Sequence, residues 1–316
     1  MKDAAVTAGI FDPLLQSFHL PLKATIYPLG FAVEFQTNSR EIIRLACEHW
    51  GAFPQVFSEQ AVRLKIAVAE GGLLETPVYR AQEHLLTIVA GSENFAVCDL
   101  RNGFGFAWFT TQAVAAGHQL RYSILDAMVY SILSSLHLTA IHAACVSRED
   151  SGILLCGPPG AGKSSLAYAC ARRGFRFVSD DVTYFLRRDE DRSLIGKPFQ
   201  MRFRDSAADL FPDLRRFSAS EGPFELTTNQ LPEIRTALRC RADRLIFLAR
   251  QDSGLACLVP VPQEEARQRL ERELPILDPH SYREQLASLD RLLEAQILEL
   301  CYCDLNEAVD LLVLLR

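Results

Sequence analysis

Apolar and polar residues alternate through "FAVEFQTNS" (residues 31–39) and "VRLKIAVAE" (residues 62–70), the period-two pattern of half-buried strands. Between them, "SREIIRLACEHWG" places Ile42, Ile43, Ala46 and Trp50 near one helical face, with Ser39 as N-cap and Gly51 past the end. "LLTIVAG", "NFAVCDL" and "GFAWFTTQA" continue as strands. No catalytic constellation falls in this part. Residues 1–120 therefore read as a mixed α+β domain, to which substrate recognition or assembly is assigned by elimination.

From residue 121 the pattern changes to alternating helices and strands. "SILDAMVYSILSSL" predicts a helix, "TAIHAACVS" a strand, and "REDSG" a turn into the apolar run "ILLC". Downstream, "DRLIFLAR" and "LACLVPV" read as strands and "QEEARQRLEREL" as a helix. Two capping boxes are predicted in the tail, Ser281 with Glu284 and an aspartate version, Asp304 with Glu307. The alternation points to an α/β domain over residues 121–316.

Composition narrows the class. The chain has 316 residues, 49% hydrophobic and 23% charged, which suits a globular protein of about two domains. A formal net charge of -6 lacks the broad basic face that gripping nucleic acid requires. The nine cysteines are scattered except for Cys301 and Cys303, and no cluster has zinc spacing or the look of a secreted disulfide framework. "MKDAAVTAGIFDPLL" has no long apolar run and is not read as a signal peptide. The stretch from Ala127 to Val146 is uncharged and long enough for a bilayer. It is interrupted by Ser131, Ser134, Ser135, His137, Thr139 and His142, and breaks into a helix and a strand. A cytoplasmic protein with no membrane or nucleic-acid partner is expected.

The chemistry concentrates in "GILLCGPPGAGKSSLAYACARRGFRFVSDD", residues 152–181. Gly157, Pro158, Pro159, Gly160, Ala161, Gly162, Lys163 and Ser164 satisfy G-x-x-x-x-G-K-[ST], and Ser165 follows in the helix's first turn. Glycines let the backbone wrap a phosphate, and the helix N-terminus supplies positive potential. Lys163 reaches the outer phosphates, and Ser164 is placed to ligate magnesium. The context fits: an apolar strand precedes the loop, the helix "SSLAYACARR" follows it, and Gly174 offers a C-cap. After Gly174 comes the short strand "FRFV", with Ser179, Asp180 and Asp181 at its end. An acid there accepts a proton from an attacking hydroxyl, holds magnesium opposite Ser164, or merely caps a turn. Adjacent strand residues point to opposite faces, so both aspartates need not enter one site.

Three features in order, "AIHAACV" with His142, "GPPGAGKS" and "RRGFRFVSDD", resemble the catalytic domain of bacterial HPr kinase/phosphorylase, whose core is related in fold to phosphoenolpyruvate carboxykinase. The resemblance covers roughly Ile141 to Asp181. It implies that His142, Lys163 and Asp181 are active-site residues, with Asp181 as base and Ser164 on magnesium. Asp180 would support the site, as a second metal ligand. The family's loop usually has Asp-Ser where this chain has Pro158 and Pro159. Its downstream magnesium glutamate is not recognisable in "LIGKPFQMRFRDSAADLF", so the kinase direction is implied and the phosphorylase direction is not. Arg202, Arg204, Arg239 and Arg244 are candidates to steady a transferring phosphoryl group.

The expected fold is thus α/β: an HPr-kinase/PEP-carboxykinase-like P-loop domain, residues 121–316, behind a mixed α+β domain. The expected function is ATP- and Mg2+-dependent phosphorylation of a hydroxyl, on a serine of a protein or ribosomally made peptide. A small-molecule alcohol kinase and a non-catalytic nucleotide sensor are the alternatives. The resemblance also allows for a homo-oligomer.

Overall fold

Trp50, at the end of the helix Arg40–Trp50, is fully buried and donates its indole N–H to Tyr130 Oη at 2.9 Å. That bond ties the helix Asp126–Leu136 to the N-terminal part of the chain in the computed structural model, which describes residues 19–204, 207–217 and 224–315. The chain accordingly divides into Met1–Leu136 and His137–Arg316, not at residue 120. Helical periodicity alone could not say which unit the Asp126–Leu136 helix joins; its buried partners decide. The N-terminal stretch read as lacking a signal peptide lies outside the described residues.

The first unit carries a seven-stranded sheet. Its spatial order is Leu22–Ile26, Val33–Thr37, Val62–Ala69, Phe104–Thr110, Phe95–Asp99, Leu85–Val89, Val78–Gln82. Val33 and Phe35 alternate inward as predicted. Ser39 caps the helix by accepting from the Ile42 N–H, and Leu45 rather than Ile43 completes its buried face.

The second unit is an α/β layer structure. Strand Ser151–Cys156 sits between Ala143–Arg148, antiparallel to it, and Arg239–Arg250, parallel to it. Arg176–Ser179 adds beyond Ala143–Arg148, and Gln296–Tyr302 runs parallel to the second half of Arg239–Arg250. Side chains of the central strand go alternately to two cores. Ile153 and Leu155 meet the helices Lys163–Arg172 and Leu305–Leu314, while Leu154 and Cys156 meet Gln263–Glu271 and Pro279–Leu292. Burial on both faces is why "ILLC" is continuously apolar.

Two sequence expectations need correction. "TAIHAACVS" is two strands: Leu138–Ile141 pairs with Thr183–Leu186, whereas Ala143–Arg148 pairs with the central strand. His142 occupies the break between them. Ser281 does not open the helix Pro279–Leu292. The cap is Asp278, whose Oδ2 accepts the Ser281 N–H at 3.0 Å, with Pro279 at the first helical position. Asp304 does cap the last helix, accepting from Asn306 and Glu307, but the Glu307 carboxylate accepts the Ala256 N–H instead. Among the described residues, no helix is long and apolar enough to cross a membrane.

Asp278→Ala should lower unfolding free energy by about 1–2 kcal/mol, the usual cost of losing a cap. Ser281→Ala should cost less. Urea unfolding checks the order, and a larger loss at Ser281 would restore the capping box read from sequence.

Candidate functional site

The parallel strands Ser151–Cys156, Arg176–Ser179, Arg239–Arg250 and Gln296–Tyr302 all end at one edge of the sheet. The antiparallel strand Ala143–Arg148 begins there, because Ala143 lies opposite Cys156. This topology delivers to one place the glycine-rich loop, the Asp180–Asp181 turn, His142, Arg250 and Tyr302. It is the carboxyl edge at which α/β sheets bind ligands. A cleft of about 400 Å³ opens there, lined among others by His142, Lys163, Ser164, Asp180, Asp181 and Arg250.

Gly160 and Gly162 both have left-handed backbones, φ 93° and 94°. Gly162 is constrained twice, since a Cβ there would stand 2.6 Å from Tyr302 Oη. Tyr302 is buried and donates its hydroxyl to Ala161 O at 2.9 Å, clamping the loop from a distant strand. The helix Lys163–Arg172 starts directly after Gly162, so its first-turn N–H groups face the cleft with no carbonyl before them to accept.

Lys163 is buried, and its Nζ donates to Gly157 O at 2.6 Å and Pro158 O at 3.4 Å. Burial holds its pKa below the ordinary lysine value, with Glu273 and Asp181 acting against that shift. The Ser164 hydroxyl lies 3.5 Å from Asp180 O. The two aspartates differ sharply. Asp180 is half-buried and its Oδ2 accepts the Arg202 N–H at 2.5 Å; burial pushes its carboxyl up to about 6, with the Asp181 charge adding to the rise. Asp181 is exposed, and its Oδ1 lies 3.5 Å from His142 Nε2. At the other side of the same ring, His142 Nδ1 is 3.5 Å from Glu273 Oε2.

The residues proposed from sequence are therefore brought together, with two exceptions among the arginines. Arg202 and Arg204 line the cleft. Arg239 instead binds Asp189 and Ser193, and Arg244 bonds Ser151 Oγ, towards the opposite end of the strands. Sequence reading missed Glu273, Arg250 and Tyr302. Arg250 ends the apolar run "LIFLAR" and Tyr302 the alternating strand "ILELCY", so both were findable as residues at the carboxyl ends of strands parallel to the loop strand. Glu273 had no signal, because only tertiary packing carries it to His142.

A cleft at the carboxyl edge of an α/β sheet, with a glycine loop and paired acids, defines the class. Residues 135–204 match the HPr serine kinase C-terminal domain family, so this segment of the chain is similar to HPr kinases. It is 39% identical over 61 residues to the HPr kinase/phosphorylase of Shouchella clausii (19% of each chain) and 41% identical over 58 residues to that of Geobacillus thermodenitrificans (18% of each). The HPr kinase/phosphorylase of Halalkalibacterium halodurans is 36% identical over 75 residues, 23% of this chain and 24% of that one. The match thus spans about a fifth of the length of these curated relatives. Among solved structures, the Hpr(Ser) kinase/phosphatase from Coxiella burnetii aligns at 14% identity and TM-score 0.28, over 52% of this chain and 79% of that one.

Two predictions follow from this geometry. Gly162→Ala meets both a left-handed backbone and Tyr302, whereas Gly174→Ala meets only the backbone, φ 94° with nothing within 4 Å. In urea unfolding, Gly174→Ala should cost ~1 kcal/mol and Gly162→Ala clearly more; equal losses would mean that Tyr302 yields freely. For Asp180, the folded state binds the proton more tightly than the unfolded chain, so its contribution to stability falls as pH rises from about 4 to about 6. Asp180→Asn keeps the acceptor for Arg202 N–H without the charge. Its urea midpoint, measured without magnesium, should match wild type at pH 4 and exceed it at pH 8. A pH-independent difference would contradict the buried-carboxylate reading.

Proposed function

We propose that the chain is an ATP- and Mg2+-dependent phosphotransferase that phosphorylates a serine hydroxyl of a protein or peptide. The supporting observation is the one sheet edge at which Lys163 and Ser164 stand beside Asp181, itself 3.5 Å from His142.

The loop fits a polyphosphate. Gly160 and Gly162 supply the left-handed turns that let the backbone wrap a phosphate, and the first-turn N–H groups supply donors for phosphate oxygens. Ser164 Oγ with Asp180 would offer the hard oxygen donors that Mg2+ prefers. When bound, the ion neutralises charge on the phosphate chain. Lys163 exchanges its loop carbonyl acceptors for outer phosphate oxygens. Asp181 takes the acceptor's proton as the new oxygen–phosphorus bond forms and the bond to the leaving diphosphate oxygen breaks. His142, with a carboxylate at each ring nitrogen, orients the Asp181 carboxylate. Arg202, Arg204 and Arg250 border the same cleft and supply positive charge to the transferring group.

The accessibility of the base favours a macromolecular acceptor over a small alcohol. The Asp181 side chain is 70% exposed, whereas small-molecule sites bury most of their ligand. A serine on a projecting segment reaches such a base without a closed pocket.

The test uses γ-labelled ATP, magnesium and an array of serine-containing peptides. Wild type should label peptides, Lys163→Ala should lose ATP affinity, and Asp181→Asn should bind ATP while transfer falls ~10²–10⁴-fold. ATP binding with no transfer to any acceptor would make the chain a sensor. Unchanged transfer in Asp181→Asn would remove the base assigned here.

A further inference from the structure

Cys301 and Cys303, the close cysteine pair of the sequence, take no part in the proposed reaction. The fold brings a third thiol to them. Strand Cys257–Pro260 runs antiparallel to Gln296–Tyr302, and the register sets Cys257 directly opposite Cys301. Opposed Cα atoms in an antiparallel pair lie ~4.5 or ~5.5 Å apart, and both spacings fall in the ~4.4–6.8 Å range that a disulfide spans.

Accessibility separates this pair from the chain's other close pair. Cys145 and Cys240 approach to 3.6 Å between sulfurs, but both are buried in the core, where no solute reaches them. Cys257 is exposed and Cys301 half-buried. Partial burial, followed by the neighbouring Cys257 thiol with which it shares a hydrogen bond, holds the Cys301 thiol above its ordinary range. Cys303 is engaged elsewhere, its thiol donating to Gly254 O at 3.0 Å. The register therefore selects Cys257, not Cys303, as the partner of Cys301.

We propose that Cys257 and Cys301 form a reversible thiol–disulfide site, closed by a hydroperoxide. The Cys257 thiolate attacks the peroxide oxygen and breaks the O–O bond, giving a sulfenic acid and releasing hydroxide, or alkoxide from an organic peroxide. The Cys301 thiolate then attacks the Cys257 sulfur and expels the second oxygen as hydroxide. The two thiol protons convert the two leaving anions to water, or to water and alcohol. Two thiols are oxidised, one peroxide is reduced, and a thiol reductant reverses the step. The site adjoins the nucleotide edge, since Cys301 precedes Tyr302, the residue that holds the glycine loop.

The experiment treats the reduced full chain with hydrogen peroxide, blocks remaining thiols with maleimide, and reads intact mass and peptide maps. One disulfide should form, joining the peptides of Cys257 and Cys301, with two fewer maleimide adducts and full reversal by dithiothreitol. Cys257→Ser, an exposed and nearly isosteric change, should abolish it. Cys303→Ser should leave it intact. A link between Cys301 and Cys303, persistence in Cys257→Ser, or addition of oxygens to separate thiols with no cross-link would each overturn the proposal.

Discussion

The candidate site depends on one buried hydroxyl. Thr183 Oγ1 donates its single proton to Ala143 O at 2.8 Å, so the 2.5 Å contact with Ser179 must have the Ser179 hydroxyl as donor. This short chain of hydrogen bonds fixes the turn that holds Asp180 and Asp181 and ties it to the residue after His142. A free turn between Ser179 and Thr183 would let Asp181 sample many positions. Here both its ends are pinned, and one pin is the backbone of the strand that starts at the histidine.

The same logic of distant restraint governs the loop. A glycine-rich loop has high conformational freedom, and ordering it opposes folding. Tyr302 offsets part of that cost by holding Ala161 O from a strand some 140 positions later in the chain. Lys163 contributes by bonding two carbonyls of its own loop. The lysine is then held ready but desolvated, and the nearby Glu273 and Asp181 charges keep the ammonium form favourable in a buried place. These bonds restrain the loop, and a restrained loop costs less to order around a ligand.

Much of this was legible in the sequence because it is local. The strand, loop and helix from Ser151 to Arg172, the cap at Ser39 and the left-handed Gly174 each follow from a few neighbouring residues. The HPr-kinase resemblance was legible for the same reason, since its residues lie between Ile141 and Asp181. What was missed is long-range. The break at His142 arises because the chain changes strand partners there, a fact of pairing that an unbroken apolar run conceals. The helix Asp126–Leu136 joins the first unit through Trp50 and Tyr130, eighty positions apart. Ser281 looked like a cap because Asp278 and Pro279, which form the actual start, precede the hydrophobic pattern by a turn.

The aspartate pair shows how neighbours of identical chemistry are made unlike. The turn after the strand Arg176–Ser179 directs them to different surroundings, and the surroundings set their character. Asp180 faces inward, loses solvent, and is only partly compensated by the backbone N–H groups of Arg202 and its own residue; the result is a carboxyl that resists ionisation up to about pH 6. Asp181 faces out, meets His142 and stays in contact with water. A proton acceptor for a macromolecular hydroxyl must be reachable, whereas a group that steadies the turn need not be. The inward aspartate gains a further function only when a cation replaces the solvent it lost, because its carboxylate form then acquires the partner that burial removed. In the proposed reaction the inward residue would serve metal and turn and the outward one the acceptor, with the Ser164 hydroxyl 3.5 Å from the Asp180 backbone carbonyl.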